Sequence, residues 1–87
     1  MDARDLQSQA CELLLSIGWE EQESRSGKRI QLKTIGPRDV RASIGPRFTT
    51  FYERFGSLSL RLRRHPTKDL DATEAAGRAL VRASSVC

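Results

Sequence analysis

Cysteine and histidine are scarce in this chain, and each scarcity closes off a class of protein. Two cysteines, Cys11 and Cys87, are too few for the bridged framework of a small secreted domain. They read as free thiols in a reducing, cytoplasmic compartment. Together with a single histidine, His65, they cannot fill a four-ligand zinc site without carboxylates. No metal and no other cofactor is therefore expected. Gly-rich phosphate loops of the P-loop or dinucleotide type are missing, and no Ser–His–Asp or Cys–His spacing is readable. The chain reads as a non-enzyme. His65 with Asp69 or Asp71 is what remains of an acid–base inventory. Long hydrophobic runs are also missing. No window approaches ~18 uninterrupted apolar residues, so no membrane-spanning helix is expected. The start, Met1 to Asp5, lacks a basic stretch followed by an apolar one and does not resemble a signal peptide. Beginning at Met1, the chain reads as a complete small frame.

What is present fits one folded domain, residues 1–87. Hydrophobic residues make up 38% and charged residues 30%, too apolar for a disordered chain and too polar for a membrane protein. The net charge of +4 permits an anionic partner without requiring one.

Periodicity gives the elements. Leu6, Ala10, Leu13, Leu14 and Ile17 recur at helical spacing, which predicts a helix over 3–17 capped by Gly18. Trp19 follows at once, as a lid on the core or as a stacking platform for a base. Glu20 onwards extends as an edge strand, and Ser26–Gly27 is a turn signal. Ile30 and Leu32 alternate with Gln31 and Lys33, and Val40, Ala42 and Ile44 with Arg41 and Ser43. Residues 47–54 are rich in threonine and aromatics, which favour strands. Leu58, Leu60 and Leu62 alternate strictly with Ser59, Arg61 and Arg63. Asp71 and Glu74 resemble a capping box for a closing helix, with Ala76, Ala79, Leu80 and Ala83 as its inward stripe. Gly77, costly in mid-helix, marks a close backbone approach.

The expected fold is α+β: an N-terminal helix, an antiparallel sheet of three or four strands and a C-terminal helix, with both helices on one face. The tetrapeptide Ile35-Gly36-Pro37-Arg38 recurs as Ile44-Gly45-Pro46-Arg47. Both copies read as turns. They are either turn chemistry used twice or matched loops that each present an arginine at one end of the sheet.

The residues opposite the apolar face of each strand are basic and hydroxylated, and most carboxylates lie on the helices and their flanks. Such a face is either a solvated surface, a footprint for phosphate, or a docking face for an acidic protein. In the first case of binding, a nucleic acid would meet Lys33, Arg41, Arg61 and Arg63, with Arg38 and Arg47 at the loops. In the other, Tyr52 and Phe51 would anchor a protein partner. Phe48 and Tyr52 share one face of a strand, and Phe51 and Phe55 the other, so at least one pair is expected to be buried. The oligomeric state is not readable.

Two stretches resemble the HicA-type toxins, small ribonucleases with a double-stranded-RNA-binding-like fold. Leu13-Leu14-Leu15-Ser16-Ile17-Gly18-Trp19 is similar to that family's helix ending in Gly-Trp. His65-Pro66-Thr67-Lys68-Asp69-Leu70 resembles the approach to its closing helix. The resemblance implies the fold and an RNA-facing surface. The family's catalytic histidine follows a Gly-Ser pair, whereas here Leu58 follows Gly56-Ser57, so the nuclease role does not carry over. Residues 71–79 also resemble the helix of AP2-type domains, which read DNA with a three-stranded sheet.

Three functions follow as expectations. The first is a non-catalytic nucleic-acid-binding module. The second is a small protein-binding inhibitor or adaptor, of the phage-antagonist, anti-CRISPR-like kind. The third is an unusual HicA-like ribonuclease centred on His65.

Overall fold

Helix α1 (Ala3–Ser16) places Gln7, Ala10, Cys11 and Leu14 on one buried stripe, with Leu13 and Ile17 partly buried beside it. It ends where Gly18 takes a positive φ of 116°, a conformation that would strain a side chain with a Cβ. The computed structural model describes residues 3–22 and 29–84. The expected turn at Ser26–Gly27 and the second cysteine, Cys87, lie outside them.

The sheet is antiparallel and five-stranded: β1 (Glu20–Glu21), β2 (Ile30–Lys33), β3 (Val40–Ile44), β4 (Phe48–Phe55) and β5 (Leu58–Pro66), side by side in chain order. The count is five against the expected three or four; β1, read as an edge strand from Glu20, is only two residues long. Helix α2 (Leu70–Ser84) closes the chain. Both helices pack on the face formed by Leu32, Val40, Ala42, Ile44 and Phe51, which joins Ala10, Leu14, Trp19 and Ala76 in one core. Among the described residues, no helix is long and apolar enough to cross a membrane.

Trp19 is the lid, not a platform. It is 3% exposed, its indole N–H donates to the Gly77 carbonyl at 3.2 Å, and its ring lies 5.4 Å from that of Phe51. Gly77 is where the two helices touch. A Cβ there would collide with the Leu14 and Ile17 side chains, so the close approach is to α1 and not to the sheet.

Two expectations about α2 change. Its cap is Asp69, whose carboxylate accepts from the Ala72 N–H at 3.0 Å, and not Asp71, which already lies inside the helix. The buried stripe is Thr73, Ala76, Gly77 and Ser84, with Leu80 and Val81 partly buried, whereas Ala79 is exposed.

The alternation in β5 is also interrupted. Phe51 pairs with Arg63, but Tyr52 pairs with Arg61, so Leu62 is the additional residue of a β-bulge. Leu62 reaches the core. Leu58 and Leu60, expected beneath the helices, are 71% and 56% exposed, because the β4–β5 hairpin runs past the helices at the edge of the sheet.

Candidate nucleic-acid interface

The open face of the sheet is set by register. Residues directly opposite on neighbouring strands share a face. Gln31 and Ser43, Lys33 and Arg41, Arg41 and Tyr52, Thr50 and Arg64, and Tyr52 and Arg61 are such pairs, all on the side away from the helices. The bulge decides which β5 arginines arrive there. Arg61 and Arg64 do. Arg63 does not, because it is opposite Phe51 on the helix side.

The six arginines and lysines expected to contact nucleic acid therefore do not form one surface. Arg38 is on the helix side, where its Nε and Nη2 donate to the two carboxylate oxygens of Glu53 at 2.9 and 2.6 Å. Its loop and that of Arg47 sit at opposite ends of β3, so the repeated tetrapeptide does not make a matched pair at one site. Arg41 is on the open face but gives its guanidinium to Asp39 at 2.8 and 3.2 Å. The Asp39 carboxyl is held below its usual range by that hydrogen bond, with smaller help from the charges of Arg41, Arg54 and Lys33. Lys33 is flanked across the register by Glu20 and Arg41. This end of the open face is largely neutralised. Phe51, expected to anchor a partner, is fully buried in the core. Tyr52 is half-buried on the open face and its hydroxyl donates to Gln31 Oε1 at 3.4 Å.

Positive charge is instead concentrated at the other end. A cleft of about 400 Å³ is lined by Arg29, Pro46, Arg47, Phe48, Thr50, Arg61 and Arg64, with no carboxylate among them. Each arginine is placed by a different device. Arg29 is held by Ser43, donating from Nε to Oγ at 2.6 Å and from Nη2 to the carbonyl at 3.1 Å. Its guanidinium lies against Gly45, where a Cβ would obstruct it. Arg47 rides on the tight 45–48 turn, closed by the Gly45 N–H donating to the Phe48 carbonyl at 2.9 Å. Arg64 lies over the Phe48 ring, 4.3 Å from its centre. Arg61 projects from the bulge, exposed.

The turn itself is anchored from behind. Buried Thr67 donates its hydroxyl proton to the Gly45 carbonyl at 2.7 Å, so Thr49 is the donor in their 3.0 Å hydroxyl contact. The Thr67 N–H donates to the Arg47 carbonyl at 2.8 Å, and Gln7 of α1 donates to the Ile44 carbonyl at 3.1 Å. The cleft wall is thus fixed by interactions from both layers.

Arg29 and Arg64 were not anticipated from the sequence. Arg64 carried a signal: two adjacent arginines, Arg63-Arg64, end the strict alternation of β5, which is what a bulge does to a strand pattern. Arg29 carried none, because its role depends on the cross-strand partner Ser43.

His65 lies on the opposite side from the cleft, paired in register with Thr49 and 5.7 Å from the Phe51 ring centre. Its Nε2 is 2.7 Å from the Thr73 hydroxyl, whose own proton goes to the Asp69 carbonyl, so the imidazole is the donor. Cys11 is a free, buried thiol, its pKa raised by burial and by Glu21 and Glu12. Among the described residues, no cluster of three or more His, Cys, Asp or Glu could hold a metal ion.

No family model matches this chain, and neither a curated protein nor a solved structure is significantly similar to it.

Proposed function

We propose that the protein is a non-catalytic nucleic-acid-binding module working through the arginine end of its open sheet face. The observation that carries this reading is the cleft itself, lined by four arginines and by no carboxylate that could neutralise them. Guanidinium groups match phosphate oxygens in geometry, and a concave cluster of one sign attracts a polyanion. The exposed Phe48 beside them offers an apolar contact that a purely solvated face would not need. The test is binding of the purified protein to short DNA and RNA at two salt concentrations. Micromolar or tighter binding that collapses with added salt supports the reading. No binding at low salt overturns it.

A second reading, a protein-binding adaptor, is favoured by a different surface. On the helix side of the β4–β5 tip, Phe55, Leu58 and Leu60 are 55%, 71% and 56% exposed and share one face. They adjoin the outer edge of β5, which pairs with no further strand among the described residues and carries exposed Arg61, Arg63 and Arg64. An extended acidic segment with alternating apolar residues suits it well. Binding to such peptides that is lost on replacing Leu58 and Leu60 with serine would support the adaptor. Equal binding by that variant would remove it.

A further inference from the structure

The arginine cleft does not end at Phe48. A second notch, of about 370 Å³, continues past it and is lined by Leu6, Pro46, Arg47, Phe48, Pro66 and Lys68. The two hollows share Pro46, Arg47 and Phe48. Their chemistry differs. The first is lined by four arginines, whereas the second is lined by two prolines, a leucine and an aromatic ring together with Arg47 and Lys68.

Phe48 belongs to both. It is 40% exposed, with Arg64 over its ring at 4.3 Å and with Pro66 directly opposite it in register. The Thr67 latch fixes the turn that carries Pro46 and Arg47, so the notch is built before any ligand arrives.

Resting on the nucleic-acid reading, we propose that these two hollows form one nucleotide site. Phosphates occupy the arginine cleft, and an unpaired base enters the apolar notch against Phe48. The ligand class is then single-stranded nucleic acid. A duplex presents phosphates to the arginines but keeps its bases stacked inside, and leaves the notch empty. A single strand satisfies both hollows, because every base has an apolar face to stack and a charged backbone alongside. Pro46 and Pro66 add flat, rigid apolar surface. Since stacking is tolerant of base identity, little sequence preference is expected.

The experiment uses fluorescence anisotropy with labelled 10-nucleotide DNA and RNA single strands and hairpin duplexes of equal phosphate number. The parent should bind single strands about 10-fold or more tightly than duplexes. Phe48→Ala should weaken single-strand binding by about 10-fold, as expected for loss of one stacked base, and duplex binding by clearly less, since a duplex loses only the support that the ring gives Arg64. Phe48→Leu, which keeps apolar bulk, guards against loss of folding and should fall between the two. The site is overturned, with the nucleic-acid reading intact, if single strands and duplexes bind alike or if a folded Phe48→Ala protein binds single strands as the parent does. Failure of the parent to bind either form at low salt would overturn the underlying reading as well.

Discussion

Arg38 holds Glu53 with two near-parallel hydrogen bonds, at 2.9 and 2.6 Å, across the end of the sheet on its helix side. Glu53 is 6% exposed and lies in a strand beside Val40, so its charge is stable there only because Arg38 covers it. The guanidinium hydrogen bond holds the Glu53 carboxyl below the usual glutamate range. A carboxyl lowered in the folded state stabilises the fold above its unfolded pKa, and the contribution is lost as pH falls through the folded one. Glu53→Gln should therefore flatten the decline of stability below about pH 4.5, read as urea midpoints across an acid series. Arg38→Ala should lower the midpoint at neutral pH. It should leave the salt dependence of nucleic-acid binding unchanged, because this arginine is on the wrong face.

Arg61 and Arg64 are the complementary case. Both sit in the cleft, and no carboxylate is bonded to either among the described residues. Each phosphate neutralised contributes about 0.9 to the slope of log affinity against log salt on duplex DNA, and about 0.7 on single strands. Arg61→Ala with Arg64→Ala should reduce that slope by about 1.4 on single strands and about 1.8 on duplex DNA. The control is Arg38→Ala with Arg63→Ala, the same loss of charge from the helix side. If both double variants lower the slope equally, binding follows net charge and the cleft has no special role.

The contrast between these pairs marks how far the sequence could be read. The α1 stripe, the Gly18 cap, the alternation of β2 and β3 and the turn character of both Gly-Pro pairs are local properties, written in residue spacing. The α+β architecture with both helices on one face follows from them. The composition of the site is not local. Arg63 and Arg64 exchange faces because one residue, Leu62, is bulged out of β5, and a single insertion inverts every side chain beyond it. Arg38 looked free in the sequence, and its partner Glu53 meets it only once β3 and β4 are aligned, whereas Arg41 is taken by Asp39, two residues before it. Phe51 and Phe48 are equally aromatic, yet one fills the core and the other faces a cleft.

Gly77 gives a stability prediction in which two effects oppose each other. Replacing a mid-helix glycine with alanine ordinarily stabilises by about 1 kcal/mol. At Gly77 the added methyl meets the ends of the Leu14 and Ile17 side chains, and Leu14 is fully buried. Overpacking of this kind costs about 1–3 kcal/mol. The helices must also separate at the point where Trp19 donates to the Gly77 carbonyl. Gly77→Ala should therefore be destabilising by about 1 kcal/mol net, lowering the thermal midpoint by about 4–8 °C in a domain of this size. A raised midpoint would show that α1 and α2 approach less closely than described.

His65 provides the last prediction, and it also bears on catalysis. Its pKa lies below the ordinary histidine value, chiefly through burial and further through Arg63, with Asp69 opposing. Its neighbours are the Thr73 hydroxyl, which accepts its Nε2–H, and the Phe51 ring. A histidine lowered in the folded state binds its proton more readily when unfolded. Stability therefore rises with pH through the window just below about 6.5 and is complete above it. Arg63→Ala should raise the imidazole pKa towards the ordinary value, followed by NMR titration of the ring protons, and Asp69→Asn should lower it while keeping the helix cap. His65→Gln, whose amide can still donate to Thr73, should remove the pH dependence in that window and leave nucleic-acid affinity intact. If RNA incubated with the parent were cleaved and the His65→Gln protein failed to cleave it, the histidine would be a reacting group. In that case the non-catalytic reading would be wrong, even though the arginine cleft lies on the other face.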